Sequence, residues 1–472
     1  MADIAAQGTI AETLGAWTAG LTLDQVPPRA RAAARRAMVD VLGVAFAGAN
    51  APLARTVRAD ARASWRDGPC TLIGAAGAGL APQGAAHVNA VTAHVLDYDA
   101  NYNTGMVFAP AVLFPALLAA GEAHGGTGAD LLTAFAAGTE VLCVLAAALS
   151  PEPYRKDRDS LFYKGWFNTA VLGPIGAAAA VSRLLGLDAR ATTNAIAIAA
   201  VQAGGLRIAV GSDMKPYLTG RACETGLRAA FLARDGVQAP ADAFEGFRGL
   251  IAVINAGGWT PAIFARLGGF ADAGTSFKLY PACSSIQAAA EAMERMIVTE
   301  GVERAEIASV TCEVTAHIAA NLAFPRPVTV TQAQFSMPFA LACLLVHGRF
   351  TADMLREQLL VDPAIQRAMD LVDMREAPLF ADDDAARQAP EATRVILTLK
   401  DGRRLSHLQA ASTGKPVNPM SDAVLEEKFL RNVEAALSPE AGSALLQRVR
   451  GIESLADVRS LLVGPARLND AA

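Results

Sequence analysis

From the N-terminus to about residue 265, apolar residues recur at spacings of three and four, and Gly and Pro punctuate the runs. In TIAETLGAW, Ile10, Leu14 and Trp17 share one face. PPRARAAARRAMVDVLGVAFAGA opens on prolines and a basic half, then presents Met38, Leu42 and Phe46. Alanine is abundant throughout, and small side chains let helix axes approach closely, so the pattern predicts a packed helical bundle. Asp188 reads as the N-cap of GLDARATTNAIAIAAVQAGG, and Gly204-Gly205 as its stop.

Near residue 274 the period changes. In ASVTCEVTAH, Val310, Cys312 and Val314 alternate with Thr311, Glu313 and Thr315, which predicts a strand. RVILTLKDGRRLSH predicts two more joined by a hairpin at Asp401-Gly402. Helical stretches starting near Ser284, Thr331, Thr351 and Asp362 lie in the same region. After GKPVNPMS the helical period returns: Ser421 caps a helix whose Leu425, Phe429 and Val433 share a face, and Ser438-Pro439-Glu440 opens another. The expected fold class is therefore mainly α. A large all-helical domain spans 1–273, a smaller α/β domain is inserted at 274–410, and 411–472 return to the first.

A length of 472 residues supports that division, because one core rarely grows past roughly 250–300 residues. The net charge of -5, with no basic block, disfavours nucleic acid and anionic membrane surfaces as partners. The charge-free stretches Pro69–Leu96 and Asn101–Gly121 are broken by Gly, Pro, Asn and His, so neither reads as a membrane span. Asp3 and Glu12 interrupt an N-terminus with no basic-then-apolar order, so no secretory signal is expected. The six scattered cysteines include no C-x-x-C pair, which fits reduced thiols in a cytoplasm.

Few motifs carry chemistry. GAAGAGLAPQG has Gly77 and Gly79 of a dinucleotide fingerprint, but Pro82 takes the third glycine's place and no β-rich segment precedes it. AHVLDYDANYN brings His94, Asp97, Asp99 and Asn101 close together without a second carboxylate cluster to complete a metal sphere. Asp99 and Asn101 suit helix capping, whereas Asp97 sits deeper in apolar sequence and needs a partner. No metal and no cofactor is expected.

Lysine is scarce beside arginine. Lys156, Lys164, Lys400, Lys415 and Lys428 lie in polar contexts compatible with solvation. Lys215 and Lys278 sit among Gly, Pro, Ser and aromatics. Each either snorkels or supplies a charge or base to an anionic substrate. Cys283 reads as a buried inert thiol, and the dispersed histidines as structural or surface imidazoles.

Taken in order, NAVTAHVLDYD, VLFPALLAAGE, GWFNTAVLGPIGAAAAVSRLLGLDA, MKPYLTGRACETGLRAAFLARDG, SFKLYPACSSIQAAAEAM, PVTVTQAQFSMPFALACLLVHG and GKPVNPMS resemble the MmgE/PrpD family over nearly the whole chain. That family includes 2-methylcitrate dehydratase, cis-aconitate decarboxylase and iminodisuccinate epimerase. The resemblance implies a helical domain from both chain ends, an α/β lid, a homodimer, and an active site holding Asp97, Lys215 and Lys278. It also marks departures. Asn101 replaces a threonine, Phe108 and Phe167 replace histidines, Gln287 replaces a histidine after the YP-C-C string, and Phe339 replaces a tyrosine of decarboxylase members.

A phenyl ring can neither donate nor accept the protons an imidazole moves near neutral pH. The resemblance therefore implies a pocket more apolar than usual, suited to fewer carboxylates or a larger hydrophobic part. Two function classes stand. One is a cofactor-independent lyase or isomerase acting on a small anionic substrate next to a carboxylate or carbonyl, with Lys278, Asp97, Tyr163 or Tyr280 handling the proton and Asn101, Phe108, Phe167, Cys283, Gln287 and Phe339 around the substrate. The other is a catalytically silent member that binds a metabolite or serves as a structural partner.

Overall fold

The computed structural model describes residues 8–150, 160–255, 261–270, 275–377 and 388–462. Its first and larger apolar core gathers residues from Ile10 to Phe277 and again from Met420 to Leu462. The second runs from Tyr280 to Leu399. Leu279 packs against both, so the segment carrying Lys278 lies on the seam.

In the helical unit, local caps fix the starts. Thr9 and Thr127 each make a reciprocal capping box. Asp188, Ser421 and Ser438 cap the helices Ala189–Ala200, Asp422–Val433 and Pro439–Arg450 as their sequence positions predict. Gly204-Gly205 is not the stop expected: the helix already ends at Ala200, and the chain turns before reaching the glycines. Gly128–Leu149 is long and apolar enough to cross a membrane, but 94% of its apolar window is buried inside the fold. The two C-terminal helices return onto Pro28–Gly48, where Phe429 meets Gly43.

One close approach matters for the site. The helices Pro82–His94 and Met214–Arg234 pack side by side, and a Cβ on Gly220 would stand 2.5 Å from Val91 Cγ2 and 2.9 Å from the His87 carbonyl oxygen. Only glycine permits that spacing, which brings Lys215 within reach of the end of the neighbouring helix. The glycine run before Pro82 is preceded by a short strand, Asp67–Cys70, which the sequence did not reveal. It bridges back onto Leu80 rather than entering a sheet, so the run lacks the strand-to-helix context of a dinucleotide site.

The inserted unit holds a four-stranded sheet in the order Val372–Glu376, Ile307–Val314, Thr393–Leu399, Arg404–Gln409. The first pair is parallel and the others antiparallel, with Cys312 opposite Val395 and Met374. The Asp401-Gly402 hairpin forms as predicted. The edge strand Val372–Glu376 was not foreseen, because its alternation of Val372 and Met374 with Asp373 and Arg375 covers only four residues. Ser284–Thr299 and Met337–His347 contribute helices to this unit's core.

Candidate active site

The site forms where the loop after His94 meets the seam. Asp97 N donates to the His94 carbonyl at 3.1 Å, and Asp97 takes a left-handed φ of 47°, a conformation an aspartate holds only when its surroundings fix it. They do so from three sides. Ala100 N donates to Asp40 Oδ2 at 2.9 Å, Lys428 Nζ donates to the Tyr98 carbonyl at 3.0 Å, and the Tyr98 hydroxyl donates to the Leu279 carbonyl at 3.0 Å. Asn101 and Tyr102 then pair antiparallel with Ser276 and Thr275, which sets Lys278 beside Asp97.

Asp97 Oδ1 accepts from Lys215 Nζ at 2.9 Å and from Lys278 Nζ at 3.0 Å. Lys278 also donates to the Asp97 backbone carbonyl. Both ammonium groups lie over the Phe108 ring, at 4.4 and 4.9 Å from its centroid, and Lys215 is 5.4 Å from that of Phe335 and 5.8 Å from that of Phe167. The phenyl rings found where the family resemblance sets histidines thus face the ammonium charges with their negative π-faces. Asp97 Oδ2 is buried with no hydrogen-bond partner.

Behind Lys215 stands His94. Its Nδ1 is 2.9 and 3.0 Å from the two Asp99 carboxylate oxygens, and its Nε2 is 2.8 Å from Lys215 Nζ. Asp99 requires the proton on Nδ1, which leaves the Nε2 lone pair to accept from lysine. Burial pulls His94 below its ordinary value despite Asp99, keeping the imidazole neutral. The sequence singled out His94 beside Asp97 but read the histidines as structural.

The charges separate the two lysines. Burial pushes the Asp97 carboxyl upward, but Lys215 and Lys278 outweigh it and hold Asp97 well below the usual carboxylate range. Burial pulls Lys215 down, with Asp97 opposing only in part. For Lys278 burial also acts downward, yet Asp97 and Asp99 reverse it and lift the group. Lys215 lines the cavity, whereas Lys278 is 1% exposed and lies behind Asp97. Lys215 thus faces the cavity while paired with Asp97, and Lys278 pairs with the same carboxylate from behind the wall.

The remaining expected residues divide. Asn101, Phe108, Phe167 and Cys283 line the cavity. Asn101 Nδ2 donates to Ser284 Oγ at 3.2 Å. Burial, then Asp97, pushes the Cys283 thiol up, consistent with an inert thiol. Tyr163 lies outside the wall, its ring edge-on against Phe162. Tyr280 does not reach the cavity: its hydroxyl donates to Glu294 and its ring belongs to the inserted unit's core. Phe339 is fully buried in that same core, edge-on to Phe350. Gln287 touches backbone, not substrate space. Its Oε1 accepts from Leu279 N and Tyr280 N, both at 3.0 Å, and its Nε2 donates to the carbonyls of Tyr280 and Ala282, so it shapes the loop that carries Lys278.

Other groups were missed. Lys428, read as solvated, is 2% exposed and pairs with Asp40 at 2.7 Å. Lys415 is likewise buried and pairs with Glu391. Polar neighbours in sequence gave no hint that each faces a carboxylate more than twenty residues away. Arg207, Asn168, His317 and Asn321 also line the cavity, and burial lowers His317 to about 4. In a chain rich in arginine, nothing in the sequence distinguished Arg207.

His94, Asp97 and Asp99 offer ligand atoms within 4.8 Å of one another. A metal ion there would meet two ammonium charges already at hydrogen-bond distance from Asp97, so these residues do not fit a divalent cation.

Residues 12–261 match the MmgE/PrpD N-terminal domain and residues 280–452 the MmgE/PrpD C-terminal domain. The chain is 26% identical over 475 residues to the cis-aconitate decarboxylase of Homo sapiens, covering 97% of this chain and 95% of that protein. It is 26% identical over 480 residues to the Mus musculus enzyme of the same name, covering 98% and 95%. A cis-aconitate decarboxylase-like protein of Aspergillus oryzae is 25% identical over 484 residues, covering 98% of each chain.

Proposed function

The chain belongs to the MmgE/PrpD family, and from that premise we propose that it is a cofactor-independent lyase or isomerase that moves a proton on carbon next to a carboxylate or carbonyl of a small anionic substrate. The observation that carries this reading is the placement of Lys215. Its Nζ lies on the cavity wall between the Asp97 carboxylate and the neutral His94 imidazole, which is itself anchored on Asp99. An amine whose value burial has lowered gives up its proton more readily than a solvated lysine does. Lys278 keeps its charge against Asp97, and Lys215 becomes cationic as it takes the proton, which sets a positive charge beside the carbanion-like centre. The apolar wall strengthens these interactions by excluding water.

The curated relatives are named for cis-aconitate decarboxylation. This cavity carries Phe108 and Phe167 where the family resemblance sets imidazoles, and we propose a different carboxylate as substrate. Purified protein is assayed on cis-aconitate, on 2-methylcitrate and on a panel of small hydroxy and unsaturated carboxylates. The reading expects turnover within the panel and none on the first two. Turnover of neither group would favour a silent, metabolite-binding member, and efficient turnover of cis-aconitate would show that the rings do not change the substrate.

A cytoplasmic homodimer is the setting we propose. All six cysteines are buried, in keeping with a reducing compartment. Light scattering at micromolar concentration tests the dimer, and a monomer mass would remove it.

A further inference from the structure

The cavity wall carries a second cation besides Lys215. Arg207, at the start of the short turn Arg207–Ala209, is held there by its backbone: Arg207 N donates to the Gly165 carbonyl at 2.9 Å, and Val210 N donates back to the Arg207 carbonyl at 2.9 Å. Its guanidinium carbon lies 3.5 Å from the centroid of the Phe162 ring, and Nη2 donates to Asn321 Oδ1 at 2.8 Å. Asn321 is pinned in turn, its Nδ2 donating to Ser285 Oγ at 2.9 Å and to Cys283 Sγ at 3.0 Å. The guanidinium is therefore fixed in both plane and edge.

No carboxylate among the described residues pairs with it. Glu391, the other carboxylate on the wall besides Asp97, is paired with Lys415, and Asp97 is shared between the two lysines. A partly buried arginine without a counter-ion is a ready partner for an anionic group. Burial accordingly pulls Arg207 down to about 10. The same wall also carries apolar side chains, among them Phe162, Phe167 and Phe335.

We infer that Arg207 is a specificity-determining residue that receives a second anionic group of the substrate, a carboxylate. The substrate class is then a compact dianion, with the reacting carbon next to Lys215. This rests on the proposed function for Lys215 and revises the expectation of fewer carboxylates: a second anionic group is retained, and Arg207 receives it. A planar fork suits a carboxylate better than an ammonium would, so lysine at 207 keeps the charge and loses the geometry.

The test uses the full-length protein and calorimetric titration with the straight-chain dicarboxylates succinate, glutarate and adipate. Each is compared with its monocarboxylate of equal carbon number: butyrate, pentanoate and hexanoate. One dicarboxylate is expected to bind wild type about tenfold to a hundredfold more tightly than its monocarboxylate, the range of a charge-assisted hydrogen-bonded contact. In Arg207→Gln that preference disappears while monocarboxylate affinity stays within about threefold, and Arg207→Lys falls between. No preference in wild type, a preference that survives in Arg207→Gln, or equal weakening of both ligand classes would each overturn the assignment. Failure of the proposed function shows separately, as absence of proton exchange in a protein that still has the Arg207-dependent preference.

Discussion

His94 Nε2 lies 2.8 Å from Lys215 Nζ, and this contact joins the buried lysine to a line of proton-sharing groups that ends at Asp99. The imidazole does not itself line the cavity but packs behind Lys215 and Phe108, and burial keeps it neutral. It accepts from lysine on one side and donates on the other, so Lys215 is aimed and its ammonium form balanced without a further ion.

Substitutions along this line should separate roles. Lys215→Ala is expected to lower turnover by about a hundredfold to ten-thousandfold, the range for a lost acid–base group. His94→Gln should lower it less and displace the pH–rate profile, because glutamine can accept from Lys215 but cannot match imidazole basicity. Steady-state kinetics across pH checks both. An unchanged profile in His94→Gln would reduce His94 to a packing residue.

The Asp40–Lys428 pair should act at a distance from the reaction. Breaking a buried pair by removing one partner costs about 3–5 kcal/mol, because the other charge is left without compensation. Asp40→Leu is therefore expected to destabilise strongly and to lower turnover, since Ala100 N loses its acceptor and the Asp97 loop loosens. The double variant Asp40→Leu, Lys428→Met should recover much of the stability by denaturant unfolding while turnover stays low. A single variant as stable as wild type would contradict the pair's structural weight.

Gln287 offers a test of loop shaping. Gln287→Ala leaves the N–H groups of Leu279 and Tyr280 without their acceptor, at a cost of about 2–4 kcal/mol for the buried groups taken together. Thermal melting should fall, and turnover should fall with it as Lys278 moves from Asp97. Equal melting temperatures would mean that the loop is held elsewhere.

Stability should depend on pH through His87 and His317, each lowered by burial to about 4. Between about pH 6.5 and pH 4 the unfolded chain binds protons at these two residues that the folded chain does not, so stability rises with pH across that window. It is fully present above the unfolded value and is lost as pH falls, at up to about 1.4 kcal/mol per pH unit for each group. Urea unfolding at pH 7, 6 and 5 measures the slope. His87→Gln should remove one group's share, and a slope that does not change would place His87 in contact with water.

Much of the architecture was legible because it is local. Asp188, Ser421 and Ser438 cap helices through their own side chains, and Val310, Cys312 and Val314 bury one strand face. At the site, Asp97, Lys215 and Lys278 stood out because charge in apolar or turn-forming sequence needs an explanation. The Asp40–Lys428 pair and Arg207 did not, since their meaning depends on partners brought together only by the return of the chain and by the inserted unit. Gln287 and Phe339 are expected at the substrate from the family resemblance, and Tyr280 from its place two residues after Lys278. In the folded chain Gln287 turns toward backbone, and Tyr280 and Phe339 turn into the second core.

The central claim is that Lys215 moves a proton on carbon in this cavity, and hydrogen exchange measures that directly. Wild type and Lys215→Ala are incubated in deuterium oxide with the panel of small carboxylates, and loss of the signal of the hydrogen on carbon next to the carboxylate is followed by proton NMR. The account predicts exchange into at least one dicarboxylate with wild type and background exchange with Lys215→Ala, both proteins melting alike. Equal exchange by the two proteins, or none by wild type with any member of the panel, would contradict it.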